Sequence, residues 1–418
     1  MDSNIKRSIL VDVKAHLSSK EITMIVGARQ VGKTTLMTEV FNHVLQTGEK
    51  ALFLNLDVET DARLFASQEI LLDRLRLEFG DKKGYVFIDE IQRKTNAGKF
   101  LKGIYDLNTP YKLIVSGSGS LELKEKIHES LAGRKRLFEM YPITFTEFSN
   151  FKTGYKYSDR LLDFYRINQE TSLRLLREYL NFGGYPRVIL SLKQEEKKKI
   201  INEIFRSYTE KDIAYFLKVD RIESFELLLR LLAAQTGQII SYANLCRDTH
   251  ISFPTLKKYL WYAQKTFAIH FAIPYFKNNY KEIIKSPIAY FNDLGLRNAL
   301  LGIFGNLQEK DYGFVFQNYI MNILLEGSRW SSNTIKFWRT TTGKEVDFII
   351  DKGAQIIPVE VKYSSLTTAE IEKPLGVFLE KYSPDEAIVV NLTLDKKKIF
   401  GKTKVYFIPF WKLLNQLS

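Results

Sequence analysis

The chain has 418 residues, of which 45% are hydrophobic, a formal net charge of +13 and one cysteine, Cys246. This length accommodates two or three domains with ordinary apolar cores, and no run of about 18 uncharged apolar residues suggests a membrane span. The single cysteine excludes an internal disulfide and a cysteine-rich zinc site, and the amino-terminal residues lack the order of a signal peptide, so we expect a cytoplasmic protein.

The segment Gly27–Thr34 reads GARQVGKT and fits the phosphate-binding pattern G-x-x-x-x-G-K-[ST]. An apolar run precedes it and a helical run to about Val44 follows, which is the strand–loop–helix context that the pattern requires. We expect Lys33 to reach the β- and γ-phosphates of a nucleotide and the Thr34 hydroxyl to bind Mg²⁺. The predicted nucleotide-binding residues here are Gly27, Arg29, Gln30, Val31, Gly32, Lys33, Thr34 and Thr35.

A strand that ends in two acidic residues follows the P-loop later in the chain. Residues 4–19 predict a helix, residues 51–56 a strand and residues 60–79 a mixed helical region, after which the apolar run from Tyr85 ends in Asp89 and Glu90. We expect Asp89 to hold Mg²⁺ directly or through water and Glu90 to orient or deprotonate the attacking water. Acids also end ordinary strands, but the preceding P-loop favours the functional interpretation.

Residues 112–116 predict a further buried strand, followed by residues 117–120. At the end of this strand Ser116 or Ser118 can contact the γ-phosphate or its water. A flexible turn with serine caps is the alternative. Strands that alternate with helices predict a parallel sheet with its ligand at the carboxyl ends of the strands. Arg134, in a basic segment, is the candidate transition-state arginine, in its own chain or for a neighbouring subunit; a surface or structurally paired arginine is the alternative.

The middle of the chain, residues 160–235, is strongly helical and is interrupted at Asn181–Arg187, where glycines and a proline mark a sharp break. Residues 222–275 then have the order of a winged helix. The elements are a helix over Ile222–Ala234, a helix from Gln238, a helix capped by Ser252 and a strand-like wing over Phe267–Tyr275. Lys257 and Lys258 on the third helix can meet DNA phosphates; a protein-contact domain with solvated lysines is the alternative.

From about residue 310 the pattern changes to a helix followed by a sheet. The predicted elements are a helix over Gly313–Glu326, strands over Thr334–Thr340, Glu345–Asp351 and Gln355–Tyr363, a helix at 367–381, and strands over Ala387–Asn391 and Val405–Ile408. Asp347 lies in the second strand, and Glu360 and Lys362 end the third. An aspartate followed by Glu-x-Lys on the next strand is the spacing of a PD-(D/E)XK nuclease site, where carboxylates bind a divalent cation. Charged residues on an exposed strand face are the alternative.

Over nearly its whole length the chain resembles the prokaryotic ATPases of the AAA superfamily whose C-terminal half is a domain of unknown function with a nuclease-like core. The segments that carry the resemblance are GARQVGKTT (27–35), YVFIDEIQR (85–93), LIVSGSGS (113–120), SLAGRKRLFEMYPITFTEF (130–148), NFGGYPRVI (181–189), YFNDLGLRNALLG (290–302) and EVDFII…PVEVKYS (345–364). The resemblance implies ATP binding at Gly32, Lys33 and Thr34, with the Walker-B acids at Asp89 and Glu90.

Two further positions take their interpretation from the resemblance. In the related signal-transducing ATPases a Gly-x-Pro element contacts the nucleotide, and Gly184-Tyr185-Pro186 matches it, which implies nucleotide contact at Pro186. The helix before the nuclease-like sheet supplies a glutamate in this family, but Gln317 stands there in this chain. An amide is a weaker metal ligand than a carboxylate, so this departure counts against nuclease chemistry.

These observations predict an α/β protein with four consecutive domains. They are a P-loop NTPase parallel-sheet domain of the AAA type (1–155), a helical linker (156–220), a winged-helix-like domain (221–305) and a restriction-endonuclease-like α/β domain (306–418). The leading function is Mg²⁺-dependent ATP hydrolysis, with ATP and ADP as ligands and DNA as a candidate partner. The alternatives are an ATP-gated metal-dependent nuclease and a non-catalytic, nucleotide-controlled DNA-binding or signalling switch; the oligomeric state stays open.

The site residues divide by role. The predicted catalytic residues are Lys33, Glu90 and Arg134. Ser116 and Pro186 join the P-loop residues in nucleotide binding. The predicted metal ligands are Thr34, Asp89, Asp347 and Glu360.

Overall fold

The computed structural model describes residues 4–118, 131–216, 219, 221–276 and 286–416. The chain forms two compact units: the first comprises Met1–Phe151, Gly184–Ile222 and Lys258–Ala268, and the second comprises Lys152–Gly183, Glu223–Lys257 and Ile269–Ser418. Each unit is therefore assembled from separate stretches of chain, whereas the four consecutive domains expected from the sequence remain a prediction.

The first unit is built on a five-stranded sheet in the order β2-β3-β4-β1-β5. Its strands are β1 (Ile22–Gly27), β2 (Ala51–Asn55), β3 (Gly84–Asp89), β4 (Tyr111–Ser118) and β5 (Lys135–Met140). All neighbours are parallel. Every residue of the central strands β1, β3 and β4 is buried, and most of their side chains are apolar, as is typical of parallel strands covered on both faces. The predicted parallel α/β sheet of a P-loop protein is confirmed.

One helix precedes this sheet, and the others follow or connect its strands. They are α1 (Ile9–Ala15), α2 (Lys33–Gln46), α3 (Glu59–Leu64), α4 (Gln68–Phe79), α5 (Ala97–Asp106) and α6 (Phe145–Lys152). The helix predicted over 4–19 is shorter, since α1 passes into a 3₁₀ turn at His16–Ser18. The helical region predicted over 60–79 is two helices, because Ser67 accepts a hydrogen bond from the Ile70 amide and so begins α4.

The middle of the chain is helical, as its composition predicts. Its helices are α7 (Leu161–Ile167), α8 (Gln169–Phe182), α9 (Pro186–Leu190), α10 (Gln194–Ser207), a π-helix (Tyr208–Phe216), α11 (Ile222–Ala234), α12 (Tyr242–Thr249) and α13 (Phe253–Lys265). The second helix of the predicted winged helix begins at Tyr242 and not at Gln238, because Ser241 caps it. No helix in the described part of the chain combines the length and apolarity that crossing a membrane requires.

The second unit contains an eight-stranded mixed sheet in the order β12-β13-β11-β10-β9-β8-β6-β7. The strands are β6 (Ile269–Pro274), β7 (Ile288–Phe291), β8 (Thr334–Arg339), β9 (Glu345–Asp351), β10 (Ile356–Val361), β11 (Glu386–Asn391), β12 (Lys396–Phe400) and β13 (Thr403–Pro409). The predicted wing is β6, which pairs antiparallel with β7 and, at its end, parallel with β8. The strand therefore belongs to the large sheet.

The helices of the carboxyl-terminal part are α14 (Leu294–Leu300), α15 (Glu309–Gly327), α16 (Lys373–Tyr382) and α17 (Phe410–Gln416). A capping box between Gln308 and Asp311 begins α15 four residues before the predicted Gly313. The helix predicted at 367–381 begins later, at Lys373, with Pro374 in its first turn.

Lys112 of β4 is a buried cation, and we expect its titration to make the stability of the first unit depend on pH. Its ammonium is buried and donates to the carbonyls of Ser19 and Glu21, and burial lowers the pKa of Lys112 from 10.5 to about 8. Between these two pH values the unfolded chain binds more protons than the folded chain, so stability rises with pH through that window.

We predict that Lys112→Met removes this rise. The free energy of unfolding of the wild type, minus that of the variant, should increase by about 1–3 kcal/mol between pH 7 and pH 10. Urea denaturation at several pH values measures it, with Lys102→Met, on the exposed surface of α5, as the control. Parallel pH profiles for the wild type and Lys112→Met would contradict the prediction.

Candidate functional site

The P-loop joins β1 to α2 in the first unit, and its backbone requires glycine at two places. Gly27 lies so close to β5 that a Cβ atom there would stand 2.1 Å from the Met140 carbonyl oxygen. Gly32 has a φ of +96°, in the left-handed region, directly before α2 begins at Lys33. The loop therefore turns tightly at the carboxyl end of β1, with its peptide groups and a helix amino terminus directed to one place.

Lys33 is buried inside this turn, with 6% of its surface exposed. Its ammonium donates to the carbonyl oxygens of Gly27, at 3.1 Å, and Ala28, at 2.7 Å. Burial lowers the pKa of Lys33, whereas the nearby carboxylates of Glu90 and Asp212 raise it. A buried ammonium group that is held only by carbonyl dipoles can bind the oxygens of an anion in place of these carbonyls.

Asp89 connects three neighbouring elements. Its carboxylate is 1% exposed and accepts hydrogen bonds from the Thr34 hydroxyl, at 2.7 Å, and from the Ser116 hydroxyl. The Glu90 amide also donates to it, at 3.0 Å. The predicted cation ligands Thr34 and Asp89 are thus brought together, and the structure places Ser116 against Asp89.

Glu90 follows Asp89 in the left-handed backbone region, with a φ of +57°. Gln92 donates through Nε2 to the Glu90 carboxylate, and its Oε1 accepts from the Ser118 amide at 3.2 Å. The side chain of Gln92 therefore fixes the orientation of Glu90. Gln92 was not predicted as a site residue, although it stands only two residues after Glu90 in the sequence.

A cavity of about 500 Å³ opens in front of the P-loop. Its polar lining includes Arg29, Gln30, Gly32, Lys33, Thr34, Thr35 and Glu90, and its apolar lining includes Ile5, Val31, Met140, Ile143, Pro186 and Leu190. The lining thus combines polar groups with apolar side chains, which is the chemistry that a ligand with phosphates and a base requires.

The break in the middle of the chain brings Pro186 to this cavity. The Ile143 amide donates to the Gly184 carbonyl at 2.7 Å, and a Cβ atom on Gly184 would stand 2.3 Å from the Ile143 carbonyl oxygen. Pro186 then begins α9. Gly184 therefore permits the close backbone approach through which the predicted Gly-x-Pro element lines the cavity.

Arg7 and Glu147 connect the P-loop to neighbouring segments, and neither was predicted from the sequence. Arg7 donates to the Val31 carbonyl at 2.8 Å and to the Tyr141 carbonyl at 2.7 Å, and it forms an ion pair with Glu147 at 3.1 Å. Glu147 also accepts from the Ser8 amide at 2.7 Å. The segment before β1 is thereby fixed to the P-loop and to the end of β5.

A second buried ion pair involves the P-loop itself. Arg29 donates through Nε to Asp212 at 2.8 Å, and the two side chains are 15% and 4% exposed. Asp212 lies on the π-helix, far from the loop in sequence. No short sequence motif indicates such a pairing, so Asp212 was not predicted from the sequence.

The structure does not bring Arg134 to this site in its own chain. Arg134 directly precedes β5, and its carbonyl accepts from the Ile22 amide at the start of β1. The P-loop follows the other end of β1, so Arg134 lies at the opposite edge of the sheet. Its guanidinium pairs with Asp106 at 2.7 Å.

The predicted residues of the second unit form a separate cluster. Asp347 of β9 accepts from Gln317 Nε2 at 2.8 Å and from the Val361 amide at 2.7 Å, while Lys362 Nζ lies 3.0 Å from Glu360 Oε1. Burial raises the pKa of both carboxyl groups, and the negative charge of Glu360 raises that of Asp347 further.

This cluster has few candidate metal ligands. Within the described ranges, no group of three or more His, Cys, Asp or Glu side chains is arranged to hold a metal ion. Gln317 occupies one oxygen of Asp347 with an amide N–H, which is a donor and not a ligand. Metal binding by Asp347 and Glu360 stays a prediction.

The parallel sheet, the P-loop and the acidic end of β3 give the first unit the fold of a P-loop domain. Residues 19–149 match the family model described as AAA domain. Residues 173–307 and 312–413 match the models of two domains of unknown function, DUF8612 and DUF4143.

Relatives that align over most of the chain carry no described function. An uncharacterized protein of Methanocaldococcus jannaschii is 26% identical over 96% of this chain and 90% of its own length. An uncharacterized protein of Haemophilus influenzae is 27% identical over 82% of each chain. The relatives therefore share the arrangement of the chain without identifying its activity.

Two solved structures show a distant likeness. The replication initiator DnaA bound to AMPPCP and single-stranded DNA is 14% identical, with a TM-score of 0.29, over 63% of this chain and 91% of that chain. Cdc6p from Pyrobaculum aerophilum is 11% identical, with a TM-score of 0.31, over 73% of this chain and 97% of that chain. At these scores the likeness carries no functional assignment.

The close approach of β1 and β5 leads to a prediction about Gly27. We expect Gly27→Ala to destabilise the chain by roughly 2–4 kcal/mol, because the added methyl group meets backbone and not a movable side chain. Thermal unfolding measures the change. Gly313→Ala is the control: this exposed glycine in α15 has open space around its Cβ position, and alanine there should be neutral or stabilising. Equal effects of the two substitutions would contradict the prediction.

Proposed function

We propose that the first unit binds Mg²⁺ and ATP and hydrolyses ATP to ADP and phosphate. The observation that carries the proposal is the contact of Thr34 with Asp89 at 2.7 Å, beside buried Lys33 and at the edge of the cavity that Glu90 also lines. A hydroxyl and a carboxylate are the oxygen ligands that Mg²⁺ prefers, so the residues fit the ion. When bound, Mg²⁺ supplies positive charge to the phosphate oxygens.

The chain's own groups would bind the phosphates. The amides of the P-loop and of the first turn of α2 donate to phosphate oxygens, and Lys33 exchanges the Gly27 and Ala28 carbonyls for the β- and γ-phosphates. The charge on Lys33 then stabilises the negative charge that builds up during transfer. The apolar lining around Ile143 and Pro186 receives the adenine base, so ATP and ADP are the proposed ligands.

Glu90 would act on the attacking water. In the reaction the water oxygen bonds to the γ-phosphorus while the bond from phosphorus to the β–γ bridging oxygen breaks. Glu90 orients the water and accepts its proton, and Gln92 holds the carboxylate in place. Arg134 belongs to the opposite edge of the sheet, so a role for it would require a neighbouring subunit, which remains a prediction.

Phosphate release from ATP with Mg²⁺ tests this function. We expect Lys33→Ala to lose both binding and hydrolysis, and Glu90→Gln to bind ATP while its turnover falls by about 10²–10³-fold. Glu59→Gln, which removes an equal charge from an exposed surface pair, is the matched control. If wild type binds nucleotide tightly but releases no more phosphate than the variants, the chain is a switch and not an ATPase.

The same assay with and without DNA addresses the second partner. The net charge of +13 and the exposed Lys257 and Lys258 on α13 support a DNA contact in the predicted winged helix. Stimulation of turnover that disappears as salt is raised would support that contact.

A metal-dependent nuclease is the second candidate function. The observation that favours it is Glu360, which is 7% exposed and whose Oε2 has no hydrogen-bond partner in the described part of the chain. Lys362 lies beside it, where a cation can act on a scissile phosphate. The amide of Gln317 on Asp347 counts against it.

For this second function we expect wild type to cleave DNA with Mg²⁺ or Mn²⁺ and Lys362→Ala to lose cleavage. Gln317→Glu adds a third carboxylate and should raise Mn²⁺ affinity about tenfold or more by calorimetry. Lys381→Ala, in the same unit, is the matched control for Lys362→Ala. Failure of wild type to cleave any form of DNA excludes the nuclease.

A further inference from the structure

The ion pair of Arg29 and Asp212 has no part in the chemistry described so far. Arg29 is a P-loop residue and lines the cavity, yet its Nε donates to a carboxylate of the protein at 2.8 Å. The pair lies wholly within the first unit. A loop that is built to receive phosphate therefore already contacts an anion of its own chain.

Asp212 lies in an uncommon stretch of backbone. The π-helix Tyr208–Phe216 continues directly from α10, and π-helical turns are rare and frequently found at functional sites. The hydroxyl of Tyr208 is hydrogen-bonded to that of Thr266 at 2.8 Å, which fixes the start of the segment. Ser207 and Lys211, on either side of this start, line the cavity. The segment is thus in contact with the space where a nucleotide would bind.

Asp212 is a buried anion on which the charges of two P-loop cations, Arg29 and Lys33, act. Its Oδ1 has no hydrogen-bond partner in the described part of the chain. Burial raises the pKa of Asp212, while the charges of Arg29 and Lys33 lower it. In turn, the negative charges of Glu90 and Asp212 both act on Lys33. Asp212 therefore shares its electrostatic neighbours with the terminal phosphate of a bound nucleotide.

We propose that Asp212 is a built-in competitor of the γ-phosphate. Without nucleotide it neutralises Arg29; when ATP binds, the γ-phosphate takes Arg29 from it, and the π-helix loses its contact with the P-loop. ADP has no γ-phosphate and leaves the pair intact. Asp212 thus determines how strongly the site distinguishes ATP from ADP. This inference rests on the proposed nucleotide site.

If the ion pair of Arg29 and Asp212 were purely structural, we would expect a different result. Breaking such a pair lowers stability, because one buried charge is left without its partner. It changes the binding of ATP and ADP alike, if it changes either. The ratio of the two affinities is therefore the informative quantity.

The test measures affinities for ADP and for the non-hydrolysable analogue AMPPNP, each with Mg²⁺, by calorimetry on the full chain. In Asp212→Asn we expect the affinity for AMPPNP to rise about tenfold and that for ADP to change less than twofold, because the competing charge is removed. In Arg29→Gln we expect the AMPPNP affinity to fall about tenfold. In the double variant, the effect of Asp212→Asn should shrink to less than twofold.

Glu210→Gln is the matched control, since Glu210 lies on the same π-helix and pairs with an arginine, Arg206, on the exposed surface. Its affinities should equal those of wild type. Equal changes for AMPPNP and ADP in Asp212→Asn, or additive effects in the double variant, would overturn the proposal. Failure of the underlying function looks different: wild type binds neither nucleotide, or Lys33→Ala binds both as well as wild type does.

A second measurement covers the case in which Asp212→Asn does not fold. Hydrogen exchange of the wild-type segment 208–216 should be about fivefold faster with AMPPNP than with ADP, because only the former releases the π-helix from Arg29. Identical exchange with the two nucleotides would overturn the proposal.

Discussion

The buried carboxylate of Asp89 is the constraint on which the first unit depends. It stands at the end of β3, and hydroxyls from α2 and β4 both donate to it. A carboxylate in this position is stable only while donors or a cation surround it, because an unpartnered buried charge is strongly unfavourable. The P-loop helix α2 and the strands β3 and β4 are thereby fixed to each other at the edge of the sheet where the cavity opens. The proposed chemistry uses the same group that fixes the geometry.

Local signals explain what the sequence predicts well. Four of the five parallel strands of the first unit contain apolar runs, and the P-loop carries its phosphate chemistry in eight consecutive residues, so these features can be predicted without a structure. The fifth strand, β5, reads KRLFEM and was not predicted, because its charged residues interrupt the apolar pattern. Contacts between distant segments cannot be predicted in this way. Arg7 with Glu147, and Arg29 with Asp212, join residues separated by 140 and 183 positions, and neither partner sits in a pattern that specifies the other.

The second unit illustrates a different limit. The strand β12 reads KKKIF, a sequence whose charge opposes a strand prediction, yet it pairs with β13 at the edge of the sheet. Lysines suit an edge strand because they discourage pairing with another chain. Conversely, the pattern Asp347, Glu360 and Lys362 was visible in the sequence, but the hydrogen bond from Gln317 to Asp347 required the fold. Residue spacing indicates which side chains share a face of a strand. Only the structure shows which hydrogen-bond partner each side chain has.

The discontinuity of the first unit has a consequence for synthesis of the chain. Its five-stranded sheet is complete by Met140, but Pro186, Asp212 and Thr266 come much later, after the chain has passed through a stretch of the second unit. Domains that fold during translation do so from the amino terminus as residues emerge. When the ribosome has made the sheet, it has not yet made Pro186, which lines the cavity, or Asp212, the partner of Arg29. The nascent sheet therefore exposes an unfinished site until Asp212 is made, 72 residues after Met140 (212 − 140).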